Sequence, residues 1–363
     1  MLKTGFNLDI ILAIVIAGVI SFLMTPIVKQ FATRVGAIDV PDEARRVHDH
    51  PIPRLGGLAI FIAFIIAVVL FAEITTQVRG ILLGALVVVV IGVIDDIVPL
   101  PALLKFAVQI VAALIAVFHG VVIELLSNPI FFSSAEYLKF GALSIPITVI
   151  WIVAITNSVN LIDGLDGLAV GVSAIASVMM LVISLIVAEH NVAVILAALV
   201  GACLGFLPYN LNPAKIFMGD TGALLLGFVL STVSIIGLFK FYAVISFAVP
   251  FLVLGVPLFD TAFAFFRRIV HGRNPMKPDR EHFHHRLIDQ GFSQKQAVAI
   301  LYTISAVLGL AAVVITTSGE MRALIFIIAF FLIAAFAALI LRGRKKPDDE
   351  EDDEKKDDSE DEK

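Results

Sequence analysis

Long, nearly unbroken apolar runs dominate the chain. Each is about the length that crosses a bilayer as a helix, roughly 20 residues. Eleven such runs stand out: 8–28, 55–74, 80–98, 102–118, 143–160, 168–187, 191–210, 221–239, 243–266, 296–316 and 322–341. The stretch 119–142 is too polar to span, and its runs VVIELL and YLKFGALSI predict a short hairpin outside the membrane. Pro250 and Pro257 predict a kink or break in the ninth run. The first run has no basic stretch before it and no small-residue cleavage site, so it reads as a span and not as a removable signal. The expected fold is an all-α polytopic membrane protein of about 11 transmembrane helices. One transmembrane domain would cover 1–341, with a tail at 342–363.

Composition sharpens this picture. Of 363 residues, 59% are hydrophobic and 16% charged, and the mean hydropathy is +1.00. A soluble α/β enzyme, a disulfide scaffold and a disordered chain are all excluded. The formal charge of −5 hides an asymmetry, because the last 17 residues carry 12 acids and 3 Lys. Without that tail the chain is basic, and the tail itself reads as a solvated, disordered segment. Eighteen Lys and Arg fall on one side of the eleven-span topology, counting Lys105 at the mouth of the fourth span, and five on the other. The positive-inside rule then places the N-terminus outside and the C-terminus in the cytoplasm. The single cysteine, Cys203, sits in an apolar stretch and reads as a packed thiol.

With that sidedness, every unusual polar cluster falls at the cytoplasmic face. Arg54 precedes the Gly56-Gly57 pair that opens the second span, where backbone can approach an anion closely. Arg45 and Arg46 read as ordinary positive-inside residues, and His50 and His271 as ordinary histidines. Asp95 and Asp96 end the third span. Two adjacent carboxylates repel, so either a metal or a shared proton is expected nearby, or one of them caps a helix. Lys105 follows at the start of the fourth span.

In NSVNLIDGLDGL, Asn157, Asn160, Asp163 and Asp166 recur every third residue. On a helix that spacing makes one polar stripe. Gly164 and Gly167 either leave room for a ligand beside it or break the helix. In PYNLNPAKIFMGDTG, Pro208, Pro213 and Gly219 enforce a loop, and Asp220 enters the next span as an N-cap or a hard oxygen ligand for a divalent cation. Phe217 precedes it. A basic loop between the ninth and tenth spans carries His282, His284, His285 and Arg286, without the cysteines or spacing of a common zinc module. Its composition suits phosphate binding. Asp260 lies in the ninth span, where it either joins the site or pairs with an arginine.

Carboxylates and asparagines suit Mg²⁺, cations suit phosphate oxygens, and a helical bundle offers apolar grooves to a lipid tail. The combination describes phosphoryl transfer between a soluble phosphoanhydride and a lipid phosphate. A secondary transporter is the rival from another class. Its polar site would sit near the bilayer midplane, and the motifs here show no internal repeat.

Five segments, RRVHDHPIPRLGG, GVIDDIVPL, ITNSVNLIDGLDGLA, NPAKIFMGDTG and PDREHFHHRL, carry a resemblance in order over about residues 1–300. The chain resembles the polyprenyl-phosphate N-acetylhexosamine-1-phosphate transferase family. That resemblance implies catalytic roles for Asp95, Asp96 and Asp163. It implies metal binding by Asp220 and Asn157, and nucleotide binding by Lys105, Asn160, Asp166 and Phe217. Phosphate or sugar binding would fall to Arg54, His282, His284, His285 and Arg286. The implied cofactor is Mg²⁺ or Mn²⁺.

The HFHH run and PxPRLGG resemble the N-acetylglucosamine branch of the family. The implied partners are therefore UDP-GlcNAc, undecaprenyl phosphate and the bilayer, with a homodimer and no nucleic acid. The implied reaction is transfer of GlcNAc-1-phosphate to undecaprenyl phosphate with release of UMP, at the bacterial cytoplasmic membrane. It would initiate teichoic-acid or another envelope polysaccharide. UDP-MurNAc-pentapeptide or another UDP-N-acetylhexosamine is the alternative donor. Exchange of one phosphoanhydride for another implies reversibility. A dianionic lipid phosphate is already a nucleophile, which favours direct attack over a covalent aspartyl intermediate.

Overall fold

The computed structural model describes residues 8–40, 51–127, 137–237, 248–270 and 282–317. The helices in chain order are α1 (Leu8–Val35), α2 (Gly56–Phe71), α3 (Thr76–Ile97), α4 (Ala102–Phe118), α5 (Ser144–Leu161) and α6 (Leu168–Ile186). They continue with α7 (His190–Asn210), α8 (Gly219–Gly237), α9 (Ala248–Val253), α10 (Gly255–Val270), α11 (Phe283–Asp289) and α12 (Gln294–Thr317). Among the described residues, four short strands pair antiparallel, β1 (Ile38–Asp39) with β2 (Ile52–Pro53) and β3 (Leu125–Ser127) with β4 (Tyr137–Lys139). In hydrocarbon every backbone polar group must be satisfied within the segment, and this is why such runs become helices.

Among the described residues, seven helices are long and apolar enough to cross a membrane: α1, α3, α5, α6, α7, α8 and α12. The apolar helices Gly56–Phe71, Ala102–Phe118 and Gly255–Phe265 are shorter and coincide with three further expected spans. The eleventh expected span, 322–341, lies outside the described residues, as do the acidic tail and the loop residues 41–50 and 271–281. The expected hairpin in 119–142 is present as β3–β4. The ninth run breaks, as its prolines predict, into α9 and α10 on either side of Leu254.

The bundle is built around α8. Every residue from Thr221 to Gly237 is buried, and α8 packs against α2, α3, α5 and α6. Its hydroxyls turn inward on its own carbonyls, as with Ser231 and Thr232 donating to Phe228 O at 2.8 Å. By contrast α1 packs on α7 and α2 but leaves Leu23, Ile27 and Phe31 exposed on its outer side. The gradient from α1 to α8 places apolar side chains outward and a sealed column at the centre.

Glycine lets α8 sit that close. A Cβ on Gly57 would fall 2.0 Å from Gly222 N, and one on Gly92 2.5 Å from Thr221 Cα. Backbones therefore touch where α2, α3 and α8 meet, at the same end of α8 that carries Asp220.

Candidate active site

Asp96 ends α3 and is buried at 2% exposure. Its Oδ1 accepts the Asp220 backbone N–H at 3.0 Å. Its Oδ2 accepts the Thr221 N–H at 3.0 Å and the Thr221 hydroxyl at 2.6 Å. Asp96 is thus a cap for α8 supplied by another helix, placed where the helix dipole favours an anion. Gly219 makes this possible. Its φ is +70°, and a Cβ there would meet Asp96 Oδ2 at 2.4 Å. Of the two sequence readings of the aspartate pair, the cap holds for Asp96.

Asp95 faces the other way. Its Oδ1 accepts Leu100 N–H at 2.7 Å, and its Oδ2 accepts Lys105 Nζ at 3.0 Å. Lys105 also donates to Asp220 Oδ2 at 2.7 Å, and Asn160 Nδ2 donates to Asp220 Oδ1 at 3.1 Å. Asp95, Lys105, Asp220 and Asn160 therefore form one connected set contributed by α3, α4, α8 and α5. The ammonium is a single cation shared by two carboxylates.

The three-residue stripe does not persist as a helical face. Helix α5 ends at Leu161, so only Asn157 and Asn160 lie on it. Gly164 N–H bonds Ile162 O at 2.8 Å in a tight turn, and Gly167 at φ +77° starts α6. The two glycines break the helix, and Asp163 and Asp166 leave its line. Asp166 swings to the α7–α8 loop, where its Oδ2 accepts Asn212 Nδ2 at 2.9 Å and Ala214 N–H at 3.0 Å. Asp163 stays beside the carboxylates. Burial, then the charges of Asp220, Asp96 and Asp166, push its carboxyl up to about 8. At neutral pH it holds its proton.

Asn157 lies apart from Asp220 in its bonding. Its Nδ2 donates to Gln109 Oε1 at 2.6 Å and to Val153 O at 2.8 Å. Arg54 Nε donates to Asp96 O at 3.1 Å, with its guanidinium 3.6 Å from Asp39. Phe217 is pinned by backbone, accepting Gly56 N–H at 2.9 Å and donating to Pro53 O at 2.8 Å.

The histidine run begins with His282 and Phe283 at the start of α11. His284 is 2% exposed and packs its ring on Gly164, where a Cβ would come within 2.3 Å of Nε2. That contact joins the histidine run to the turn holding Asp163. Burial, with His285 beside it, pulls the His284 imidazole down to about 3, so it is neutral at physiological pH. Among the described residues its Nε2 has no hydrogen-bond partner. His285 and Arg286 are half-buried, and the Arg286 guanidinium lies 5.2 Å from the centre of the Phe263 ring.

Three residues that the sequence reading passed over belong to this site. Gln109 is buried in α4 against Asn157, and its signal was an amide inside an apolar run. Thr221 holds Asp96, and the MGDTG motif already displayed it. Asn210 accepts Gly167 N–H at 3.2 Å and donates to Ile216 O at 3.1 Å, tying the α5–α6 turn to the α7–α8 loop. No local pattern marks that role, because the two segments are 43 residues apart in the chain.

A divalent cation fits the donor set. The oxygens are hard, and Lys105 already occupies a cation position between Asp95 and Asp220. Among the described residues no group of three His, Cys, Asp or Glu stands ready as a cage. Mg²⁺ is commonly held by one or two carboxylates together with substrate phosphates and water, and Asp95 and Asp220 offer such oxygens.

Residues 78–238 match the family model described as glycosyl transferase family 4. The chain is 40% identical over 311 residues to a Bacillus subtilis (strain 168) protein named "Probable undecaprenyl-phosphate N-acetylglucosaminyl 1-phosphate transferase", covering 85% of this chain and 86% of that one. It is 37% identical over 327 residues to a Mycolicibacterium smegmatis protein named "Decaprenyl-phosphate N-acetylglucosaminephosphotransferase", covering 82% and 79%. It is 31% identical over 318 residues to a Staphylococcus aureus (strain MSSA476) protein named "Phospho-N-acetylmuramoyl-pentapeptide-transferase", covering 81% and 95%.

Proposed function

The chain belongs to glycosyl transferase family 4, the polyprenyl-phosphate phosphosugar transferases, and from that premise we propose that it moves GlcNAc-1-phosphate from UDP-GlcNAc to undecaprenyl phosphate. The product is undecaprenyl-diphospho-GlcNAc, and UMP leaves. The observation that carries the donor is the 40% identity, over most of both chains, to the Bacillus subtilis relative of that name. The HFHH run supports the same branch. The step serves teichoic-acid or another envelope polysaccharide at the bacterial cytoplasmic membrane. On this reading the chain has eleven spans, an outside N-terminus and a cytoplasmic C-terminus, and the chemistry would fall on the cytoplasmic face.

In a direct displacement the site residues would divide the work as follows. Asp220, with Asp95 beside it, offers oxygens to Mg²⁺ or Mn²⁺. The cation would neutralise charge on the donor diphosphate and polarise the phosphorus under attack. Asn160 orients Asp220 through Oδ1. Lys105 stands within reach of any phosphate that approaches the two carboxylates and would carry part of its charge. Asp96 holds the end of α8 in place. Asp163, while it holds its proton, can donate a hydrogen bond to a phosphate oxygen without adding negative charge. Arg54, His282, His284, His285 and Arg286 border this set with the cationic and imidazole chemistry that diphosphates require. Phe217 and Asp166 lie on the loop side, where a nucleoside would sit.

The test is a donor panel. Purified chain in detergent is given undecaprenyl phosphate, Mg²⁺ and labelled UDP-sugars, and UMP release and lipid-linked label are followed. Label from UDP-GlcNAc that disappears on chelation is the expected result. Turnover only with UDP-MurNAc-pentapeptide would keep the family and replace the donor. No turnover with any donor would sink the proposal.

A further inference from the structure

Asp260 lies in α10, 2% exposed, on a helix that contributes no carboxylate to the set around Lys105. The sequence left two readings, a part in the site or a pair with an arginine. Its hydrogen bonds run instead to the start of α11. Asp260 Oδ1 accepts the Phe283 backbone N–H at 2.8 Å, and Oδ2 lies 3.0 Å from His282 Nδ1. Phe283 is the first residue of α11, so a carboxylate from α10 caps the helix bearing His284, His285 and Arg286. A helix of 7 residues does not hold itself together in isolation. It needs such an anchor.

The contacts continue beyond the cap. The rings of His282 and His284 lie parallel, 6° apart, with centroids 5.8 Å from each other. His284 then rests on Gly164 in the turn that carries Asp163. Asp260, His282, His284 and Gly164 thus form one continuous path from α10 to the carboxylate site. A carboxylate only accepts, so His282 presents its Nδ1–H to Asp260. Its Nε2 is then the nitrogen left to meet a ligand.

We infer that Asp260 is a positioning residue for the donor. It fixes the tautomer of His282 and seats the histidine helix against the Gly164 turn. The inference rests on the reading of the histidine run as a diphosphate-binding element. Its role is exerted through His282, and Asp260 itself touches no substrate.

The test is steady-state kinetics on the full chain, with KM measured separately for UDP-GlcNAc and for the lipid phosphate. Asp260→Asn preserves volume and an oxygen for Phe283 N–H, but sets an amide N–H₂ against His282 Nδ1–H. It should raise donor KM about tenfold, the scale of one lost charge-assisted hydrogen bond. Lipid KM should stay near the parent value. His282→Ala should raise donor KM as well, and the double variant should be no worse than His282→Ala alone.

If Asp260→Asn leaves donor KM unchanged while His282→Ala raises it, the histidine run binds donor and Asp260 merely packs. The inference then falls by itself. Multiplying effects in the double variant would also overturn it, because Asp260 would then act independently of His282. If neither variant changes donor KM, the diphosphate reading of the histidine run fails, and the inference fails with it.

Discussion

At the scale of single residues, the site is a problem in charge. Lys105 is the counter-charge shared by Asp95 and Asp220, while Asp163 feels the charges of Asp220, Asp96 and Asp166. Asp163 answers by keeping its proton. Asp163 is raised from 3.8 to about 8 by burial and by its neighbours' charges. The sign follows directly. Below the ordinary value both folded and unfolded chains hold the proton. Between 3.8 and about 8 only the folded chain does, so stability is lost as pH rises through that window and levels off above it. The thermal midpoint of detergent-purified chain, without divalent cations, should therefore fall as pH rises from 5 to about 8. Asp163→Asn should remove that component and flatten the curve. Parallel curves for parent and variant would refute the assignment. The identities of these residues were legible in the sequence, because carboxylates at the ends of apolar runs are conspicuous. Their partners were not. Nothing local says that Asp96 caps α8 across 124 positions, or that Asn157 gives its amide to Gln109 and leaves Asp220 to Asn160.

At the scale of elements, apolar run length located the helices well, since the bilayer permits few alternatives to a satisfied helix. Periodicity was less reliable where glycine intervenes. The spacing of Asn157, Asn160, Asp163 and Asp166 fits a helical stripe, but Gly164 and Gly167 end the helix midway, and the last two side chains serve a turn. The same residue type has a different task in α2, α3 and α8, where its missing Cβ allows backbone contact. Gly57→Val would push a side chain into Gly222 and Thr221, main-chain atoms that cannot rotate away. Overpacking of this kind costs about 1–3 kcal/mol or more. The variant should melt earlier than the parent. It should also lose turnover out of proportion to the loss of folded protein, because the displaced end of α8 carries Asp220. A parent-like melting curve with parent-like turnover would show that the seam is slack.

At the scale of the whole molecule, burial grades from α1, open along one side, to α8, sealed on all sides. This gradient was legible only in part. Hydropathy marks both helices as membrane-compatible, while the hydroxyls of α8, which lower its hydropathy, mark the helix that is buried along its length. The sidedness proposed above has a direct check. Cys203 is fully buried, so the parent chain should give little background with a membrane-impermeant thiol reagent. A cysteine placed at Lys139 should label on intact cells. One placed at exposed Lys215 should label only after permeabilisation. The reverse pattern would invert the topology and remove the site from the side where nucleotide donors are made.

The lysine bridge between Asp95 and Asp220 also bears on how the protein is made. A cluster of bare carboxylates at the end of a bundle would repel itself during assembly and would wait on a metal to close, as domains that fold only around zinc do. Here the polypeptide supplies its own temporary cation. With that ammonium in place, packing of the bundle does not wait on an ion or a nucleotide. If turnover needs the divalent cation proposed above, its supply would set output without deciding whether the protein folds.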